Sequence, residues 1–363
     1  MNPLTSKERV AETLRRKPVD HVPAFENFWA DTQRHWAEQG HVAPDENLPD
    51  HFELDLRLCW PFNMVADLDA EEEIVEETDE TILARDGNGA LLRRWKTRTG
   101  TPEHVDFRVT DRAGWEEHIR PRLVNDADDR RRINFEGYRN TRARCAERDL
   151  YFCWGGLNVF ELMHPVCGHE HMLFGMAMDP DWVADMCNVY ADLIIRLMEI
   201  LFAKKGRPDG IWFFEDMGFK GRPFMSPEMY RRIVWPAHKR TFDYAHSLGC
   251  TVIVHSCGYV APLVPALIEA GMDCLQAIEV KAGMDLLELK RNFGDRIALC
   301  GGMDIRALES NDAATVEREL QAKLPGAADG GGYILHTDHS VSSRVEYDIY
   351  RYFLQRGRRI GTF

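Results

Sequence analysis

The sequence predicts an α/β fold, a (β/α)8 TIM barrel with an antiparallel β-hairpin insertion near residues 62–120. Short apolar runs alternate with amphipathic stretches from about residue 149 to the C-terminus, which is the pattern of a parallel sheet whose strands are joined by helices. Before that, polar and apolar residues alternate on both sides of the turn Asp86-Gly87-Asn88-Gly89, which predicts a hairpin. We therefore expect residues 1–363 to form a single barrel domain, with the inserted hairpin as a lid or an edge.

The chain opens with a short amphipathic helix that Thr5 or Ser6 can cap. The longest helix should begin after Asp179 and end at Gly206, because an acidic cap, a first-turn proline and terminal lysines mark its two ends. The strands are expected at the apolar runs "HVPAFENFW", "LYFCWGG", "GIWFF", "CTVIVH", "MDCLQAIE", "RIALCGG" and "GGYILHT", with an eighth strand near residues 54–60.

A closed barrel of eight strands fits this count, and an open doubly wound sheet is its rival. No Gly-rich phosphate-binding loop follows any predicted strand, which weakens the dinucleotide-binding form of that rival. Gly155-Gly156, at the end of "LYFCWGG", would either let a flat ligand approach the backbone or form a tight turn, and we prefer the turn.

Composition narrows the classes of function. The chain has 45 basic and 59 acidic residues and a formal net charge of −14, which argues against binding to nucleic acid or to an anionic membrane. No apolar stretch approaches the roughly 18 residues of a membrane span, and "MNPLTSKERV" lacks the apolar core of a secretory signal. Nine scattered cysteines do not resemble a disulfide framework. We therefore expect a cytoplasmic protein.

Polar side chains recur where the predicted strands end. In a barrel of this kind, functional groups lie at the carboxyl ends of the strands. The residues at those ends include Glu215, Asp216, His255, Cys257, Glu279, His336, Asp338 and His339. A chance arrangement would scatter carboxylates, imidazoles and a thiol over both ends of the sheet, so their recurrence at one end predicts an enzyme.

His255 and Cys257 are the strongest candidate metal ligands. They lie two residues apart at a strand end, so both side chains could face one ion as the strand turns outward. Thiolate and imidazole donors suit zinc better than magnesium or calcium, and a catalytic zinc needs about three protein ligands. His339 could be the third, and Glu279 or Glu215 could complete the set. The alternative is a hydrogen-bonded histidine beside a buried thiol.

Three carboxylates are candidates for catalysis. Glu215 and Asp216 follow the same strand and could act as general acid or base. Asp338 could orient His339, because metal ligands usually have hydrogen-bonded partners, or it could cap the last helix.

Four segments carry a family resemblance: "VIVHSCGYV", "CLQAIEVKAGMDL", "RIALCGGMDIR" and "GGYILHTDHSV". They resemble the uroporphyrinogen decarboxylase superfamily, and more closely its zinc-dependent corrinoid or methylcobalamin methyltransferase branch. The resemblance implies a barrel and a zinc ion held by a His-x-Cys pair and a later cysteine. His255 and Cys257 match the pair, whereas His339, in "HTDHSV", stands where that branch has its cysteine.

The resemblance also implies an activity. We expect a zinc-dependent methyltransferase that moves a methyl group between a corrinoid (methylcobalamin), carried on a separate partner protein, and a small thiol or O- or N-methyl substrate. One alternative is a lyase that acts on a tetrapyrrole like uroporphyrinogen decarboxylase, although the arginine-rich N-terminal segment of that enzyme is not evident. A non-catalytic barrel that binds a tetrapyrrole or corrinoid is the other, and a homodimer is left open.

Overall fold

The computed structural model describes residues 3–97 and 102–362. The first two residues, used above in the signal-sequence argument, and residues 98–101 of the predicted insertion lie outside it. The described strands are β1 (Leu56–Cys59), β2 (Glu73–Glu77), β3 (Thr81–Arg85), β4 (Ala90–Trp95), β5 (Glu103–Phe107), β6 (Tyr151–Leu157), β7 (Gly210–Phe214), β8 (Gly218–Phe219), β9 (Arg222–Pro223), β10 (Thr251–Ser256), β11 (Cys274–Ala277), β12 (Ala298–Gly301) and β13 (Tyr333–Ile334).

The described helices are α1 (Ser6–Leu14), α2 (Ala30–Glu38), α3 (Leu48–His51), α4 (Arg112–Gly114), α5 (Arg120–Asn125), α6 (Phe135–Glu147), α7 (His164–Met178), α8 (Pro180–Lys205), α9 (Pro227–Met229), α10 (Trp235–Ser247), α11 (Val264–Ala270), α12 (Leu286–Phe293), α13 (Ile305–Glu309), α14 (Ala313–Ala328) and α15 (Tyr347–Ile360). The long predicted helix is confirmed as α8, and the side chain of Asp179 caps it by accepting from Trp182 N. Within the described ranges, no helix combines the length and apolarity that a membrane crossing requires.

Seven parallel strands form one sheet in the order β1-β6-β7-β10-β11-β12-β13, as the alternation of apolar runs and helices predicts. Their inward-facing residues form a core of their own: Leu56, Tyr151, Cys153, Trp212, Ile253, Cys274, Ala298, Cys300 and Ile334. Because side chains on a strand alternate between the two faces, the next inward residues lie two positions further along. On β7, β10 and β11 those residues are Phe214, His255 and Gln276, which places them at the carboxyl end of the sheet.

The first predicted strand, "HVPAFENFW", is reduced to isolated bridges at His21, Ala24 and Phe28. Its segment still lies between the two edges of the sheet, because Phe25 N donates to Leu335 O and Asp55 N donates to Ala24 O. A regular ladder cannot form there, since a proline follows Val22 and the Ala24 N–H donates to the Asp55 side chain. The expected eighth strand near residues 54–60 is confirmed as β1. Because the first predicted strand does not form, the parallel sheet has seven strands rather than eight.

The predicted insertion is larger than one hairpin. Its turn, residues 86–89, does connect β3 and β4, and the Asp86 side chain accepts from Asn88 N and Ala90 N. However, β2 and β5 pair on either side, which makes a four-stranded antiparallel sheet in the order β2-β3-β4-β5. Strand β2 escaped prediction because it is glutamate-rich and exposed throughout, so it lacks the apolar alternation of a half-buried strand.

Candidate metal centre at the end of the parallel sheet

The carboxyl end of the sheet has a polar half and an aromatic half. On the polar side, His255, Gln276 and His336 follow one another on or beside β10, β11 and β13. On the other side, the Phe214 ring lies 4.6 Å from the His255 ring and 4.4 Å from the indole of Trp60. Both halves face the same end of the sheet, so a ligand there would meet hydrogen-bonding groups on one side and rings on the other.

Asp216, His255 and Cys257 form a compact group of oxygen, nitrogen and sulfur donors, whose ligand atoms all lie within 4.8 Å of one another. Cys257 Sγ is 3.4 Å from His255 Nε2, and His255 Nε2 is 3.3 Å from Asp216 Oδ1. The Cys257 amide also donates to Asp216 Oδ1 at 2.8 Å, which holds the loop after β10 against the loop after β7.

Gly258 allows these two loops to meet. Its φ is +78°, a left-handed conformation that glycine adopts without strain. A Cβ on Gly258 would lie 2.2 Å from the carbonyl carbon of Gly218, so only hydrogen fits between the two backbones. The glycine behind "HSC" therefore sets the approach of Cys257 to Asp216.

Protonated His255 and the negative forms of its two neighbours, Cys257 and Asp216, stabilise one another. Burial raises the pKa of the Cys257 thiol, and nearby His255 opposes that rise. Burial also disfavours a charged His255, but Cys257 and Asp216 outweigh it and raise its pKa well above the ordinary value. For Asp216, burial is outweighed by His255 and by the Cys257 amide, which lower its pKa to about 2. A cluster in which negative donors surround an imidazole is a favourable setting for a cation.

A buried chain of side chains leads away from His255. Gln276 Oε1 lies 2.5 Å from His255 Nδ1, and Gln276 Nε2 lies 2.7 Å from Nε2 of His336. His336 Nδ1 in turn lies 2.8 Å from a carboxylate oxygen of Glu26, although outside hydrogen-bond geometry, and Thr337 Oγ1 donates to the same carboxylate at 3.0 Å. Glu26, Gln276 and His336 are each at most 2% exposed.

This series of contacting side chains, from Glu26 to Gln276, determines which nitrogen of neutral His255 carries the proton. The Glu26 carboxylate only accepts, so it favours the proton on the near nitrogen of His336 and leaves the far nitrogen as an acceptor for the Gln276 amide. The amide oxygen then points at His255 and accepts its Nδ1 proton. When His255 loses a proton to bind a metal, its remaining proton stays on Nδ1 and the lone pair lies on Nε2, the atom that faces Cys257 and Asp216.

The other predicted ligands lie outside this group. His339 lies with its ring 6.2 Å from the Trp29 ring, and its Nδ1 is 3.5 Å from Ser340 O. Glu279 accepts from Gly258 N at 2.6 Å and pairs with Lys281 at 3.2 Å. Glu279 therefore contacts the backbone next to Cys257 rather than the three donor side chains. Ligand roles for both residues stay predictions.

The two remaining predicted catalytic carboxylates are buried and hydrogen-bonded to backbone. Glu215 accepts from Phe160 N and Glu161 N, and its Oε1 lies 2.6 Å from His238 Nε2. Asp338 accepts from Val280 N and Ile305 N, both at 2.8 Å, and burial raises its pKa. Each side chain thus accepts hydrogen bonds from the backbone of two segments around the site or of one loop beside it. A direct catalytic role for either residue stays a prediction.

A cavity of about 580 Å³ opens beside the donor group and is bordered by Asp216 and Cys257. Glu161 and His164 also line it, and His164 Nε2 lies 2.8 Å from Glu161 Oε1. Burial raises the pKa of Glu161. Sequence reasoning did not single out Glu161, Gln276 or Glu26, because none of them ends a predicted strand.

The fold and the donor group together define an α/β protein with a candidate metal centre at the carboxyl end of a parallel sheet. Comparison with known proteins names the family. The pattern of the uroporphyrinogen decarboxylase (URO-D) family matches residues 152–359, more than half of the chain, and the chain belongs to that family.

Individual relatives are more distant. A methylated-thiol–coenzyme M methyltransferase of Methanosarcina mazei is 24% identical over 152 residues, 42% of this chain and 38% of the relative. A uroporphyrinogen decarboxylase of Streptomyces coelicolor is 26% identical over 184 residues, 51% of this chain and 49% of the relative. One of Pectobacterium carotovorum is 31% identical over 80 residues, 22% of each chain. The matched segments thus span less than half the length of these curated relatives.

Among solved structures, a methyltransferase from Methanosarcina mazei superposes with a TM-score of 0.66 at 15% identity and covers 98% of each chain. At this identity the match shows a shared fold. It extends over both the parallel sheet and the N-terminal third, which the family pattern does not reach.

Proposed function

We propose that the protein is a zinc-dependent methyltransferase that exchanges a methyl group between a corrinoid, carried on a separate partner protein, and a small thiol or O- or N-methyl substrate. One observation carries the proposal: a thiol, an imidazole and a carboxylate converge at the end of the parallel sheet, within 4.8 Å of one another. The similarity to a methylated-thiol–coenzyme M methyltransferase supports this choice among activities.

The donors fit zinc in type, and the two distances from His255 Nε2 fit it in spacing. In a tetrahedral site with ordinary zinc–ligand bond lengths, neighbouring ligand atoms lie roughly 3.3–3.6 Å apart. The 3.4 Å between Cys257 Sγ and His255 Nε2 and the 3.3 Å between His255 Nε2 and Asp216 Oδ1 agree with that spacing. We propose Asp216 as the third ligand, with His339 and Glu279 as the alternatives. Bound zinc would supply Lewis acidity to the heteroatom that gains or loses the methyl group.

The protein's own residues orient the proposed zinc ligands. Gln276 holds the His255 ring with Nε2 toward the donor group, and the Cys257 amide holds Asp216. For transfer to a thiol, a corrinoid would supply the methyl group and keep the electron pair of the carbon–cobalt bond, while the thiol sulfur would form the new carbon–sulfur bond and its proton would pass to solvent. The Asp216 side chain is 41% exposed, so solvent reaches the donor group where that proton leaves.

The domain organisation belongs to the same proposal. We infer a single domain over residues 1–363, with the four-stranded sheet as an inserted lid. The corrinoid would reach the donor group from the cavity side, because the opposite side is filled by the apolar core inside the sheet. A homodimer stays a prediction.

Methyl transfer from methylcobalamin to a set of simple thiols, with and without a zinc chelator, tests the proposal. Transfer should require zinc and should fall at least about a hundredfold in Cys257→Ala, while Cys59→Ala, a half-buried cysteine outside the donor group, should retain it. Zinc-bound protein that transfers no methyl group to or from any thiol, ether or amine would contradict the proposal.

Decarboxylation of a tetrapyrrole is the second candidate, because the Streptomyces coelicolor decarboxylase aligns with half of this chain. The cavity carries Lys220, Lys281 and Arg306, but Lys281 pairs with Glu279 and Arg306 with Asp304. That leaves few cations for a polycarboxylate. Turnover of uroporphyrinogen without methyl transfer would favour this candidate, and tight binding of a corrinoid without any turnover would favour a non-catalytic barrel.

A further inference from the structure

Asp216 lies further beyond its strand than the other two donors. It is two residues past the end of β7, whereas His255 lies inside β10 and Cys257 directly follows that strand. The Cys257 amide donates to the Asp216 carboxylate at 2.8 Å, but this bond does not fix the backbone that carries the carboxylate. Because the Asp216 side chain is 41% exposed, water competes for its oxygens. The place of the carboxylate therefore depends on what holds the Asp216 backbone.

The segment after β6 leaves the sheet beside Asp216. The pair Gly155-Gly156 lies inside β6, so the tight turn preferred from the sequence is wrong, and the strand continues to Leu157. Leu157 lies opposite Phe214, the last residue of β7, in the register of the two parallel strands. The two strands thus end together, which brings Glu161, on the segment after β6, next to Asp216.

Two glutamates join the segments after β6 and β7 reciprocally. Glu215, the residue before Asp216, accepts hydrogen bonds from Phe160 N at 3.1 Å and from Glu161 N at 2.7 Å. In the opposite direction, Glu161 Oε2 accepts from Asp216 N at 3.1 Å. The Glu215 side chain is fully buried and that of Glu161 is 16% exposed, so little water competes for these bonds. Hydrogen bonds to carboxylates in such shielded places are among the stronger ones in proteins.

The Glu161 side chain is itself held in place. Its second oxygen, Oε1, lies 2.8 Å from His164 Nε2, so both oxygens have partners. The His164 ring stacks on the His169 ring at 4.5 Å and on the ring of His104, from strand β5 of the inserted sheet, at 5.5 Å. A carboxylate with both oxygens engaged and a packed partner has little rotamer freedom left, which is what holding a neighbouring loop requires.

We propose that Glu161 is a positioning residue for the metal centre: by accepting the Asp216 N–H, it keeps the Asp216 carboxylate beside His255 Nε2. Glu161 acts through Asp216 and is not itself a ligand, much as Gln276 acts through His255. Its effect on zinc rests on the function proposed above, whereas its effect on the place of Asp216 can be measured without a metal.

Crystal structures of metal-free variants test the positioning by itself. In Glu161→Ala, the 3.3 Å distance between Asp216 Oδ1 and His255 Nε2 should lengthen beyond about 4 Å, the limit of an ion-pair contact. Glu161→Gln keeps an acceptor oxygen for Asp216 N and should keep the contact. Glu161→Leu fills the same space without an acceptor, so it carries the expectation of Glu161→Ala if the alanine variant does not fold. Glu170→Ala, which removes an exposed carboxylate from α7, is the control.

Zinc affinity measures the consequence for the site. Glu161→Ala should weaken zinc binding at least about tenfold and change the absorption spectrum of the cobalt-substituted protein, and Glu161→Gln should recover most of the affinity. In an Asp216→Ala background, Glu161→Ala should add less than about a twofold loss, because a residue that acts through Asp216 then has nothing to position. Thermal melting of each variant separates a loss of zinc from a loss of folding.

An Asp216 carboxylate that stays beside His255 in Glu161→Ala would overturn the positioning role, and so would the same loss of zinc affinity with and without Asp216. If the protein binds zinc and transfers methyl groups while Asp216 stays in place in Glu161→Ala, the proposed function stands and the positioning role fails. If Asp216 moves in Glu161→Ala and the unaltered protein binds no zinc, the positioning role stands and the proposed function fails.

Discussion

His255 Nδ1 lies 2.5 Å from the side-chain oxygen of Gln276, on the neighbouring strand β11. The register of the two strands pairs His255 with Gln276 directly, so the contact is built into the sheet. Because an amide oxygen can only accept, this contact keeps the imidazole proton on Nδ1 and leaves Nε2 free to bind a cation. The orientation of the key histidine thus depends on a residue outside the donor group.

Gln276→Leu should weaken zinc binding by about ten- to a hundredfold, the usual effect of losing a partner that orients a metal ligand. Gln276→Glu keeps an acceptor oxygen toward His255 and should recover part of the affinity. Zinc affinity by competition with a chromophoric chelator, and the absorption spectrum of the cobalt-substituted protein, measure the effect. If Gln276→Leu binds zinc as tightly as the unaltered protein with the same cobalt spectrum, Gln276 does not orient the ligand.

Asp216 and His339 are rival third ligands, and paired variants separate them. We expect Asp216→Asn to weaken zinc binding more than about tenfold, because Asp216 Oδ1 lies 3.3 Å from His255 Nε2. His339→Asn should change the affinity less than about twofold, since the His339 ring packs beside Trp29. The reverse result, with the larger loss in His339→Asn, would mean that the loop after β13 moves to bring His339 to the metal, as the family resemblance implies.

Gly258→Ala should damage the site more than the fold. An alanine at a left-handed φ costs about 1–2 kcal/mol by itself. In addition, a Cβ on Gly258 would lie 2.2 Å from Gly218, so the loop that carries Cys257 must move. Zinc affinity should fall at least about tenfold. Gly40→Ala is the matched control, because φ is +79° at Gly40 and nothing lies within 4 Å of its added Cβ.

In this pair, Gly258→Ala and Gly40→Ala should lower the free energy of unfolding through the same backbone strain, measured by urea denaturation. Only Gly258→Ala should lower the zinc affinity. Equal zinc affinities in the two variants would show that the loops after β7 and β10 are not held together by their close backbone contact.

Acid should loosen the N-terminal segment that lies between the edges of the parallel sheet. Arg9, buried, pairs with Asp55 at 2.9 Å and with Asp20 at 2.8 Å. The hydrogen bond from Arg9 outweighs the effect of burial and lowers the pKa of Asp20 to about 2. A lowered pKa in the folded state means that ionised Asp20 stabilises the fold above about pH 4 and that this stabilisation is lost as pH falls toward 2.

Because Asp20 is 28% exposed, its share is about 1–2 kcal/mol. Asp20→Asn should therefore be about 1–2 kcal/mol less stable than the unaltered protein at pH 7, and the difference should shrink between pH 4 and pH 2. Urea denaturation at pH 7, 4 and 3 measures it. A difference that stays constant with pH would show that the Arg9 contact does not depend on the charge of Asp20.

The sequence predicted those parts of the molecule in which local pattern and tertiary structure agree. The caps and the apolar face of α8 and the strands of the parallel sheet follow from residues close together in the chain. The segment of Ala24 could not be predicted correctly, because its N–H donates to Asp55, which lies 31 residues further along. The exposed strand β2 lacks any apolar alternation.

At the site, too, contacts between residues close in sequence were predicted, and contacts that depend on tertiary structure were not. His255 and Cys257 share one strand end, so their proximity follows from spacing. Asp216 was foreseen as a catalytic group rather than a ligand, because its distance from His255 depends on how two loops pack. Gln276 was missed, since its importance comes from the register of β10 against β11, which a single sequence does not show.

The metal content of the purified protein tests the central claim most directly. Protein prepared with zinc, freed of loosely bound metal by dialysis and analysed by plasma mass spectrometry, should contain about one zinc ion per chain. Cys257→Ala should contain less than about a tenth of that, and Cys59→Ala the full amount. Absence of zinc from the unaltered protein, or undiminished zinc in Cys257→Ala, would contradict a metal centre formed by His255, Cys257 and Asp216.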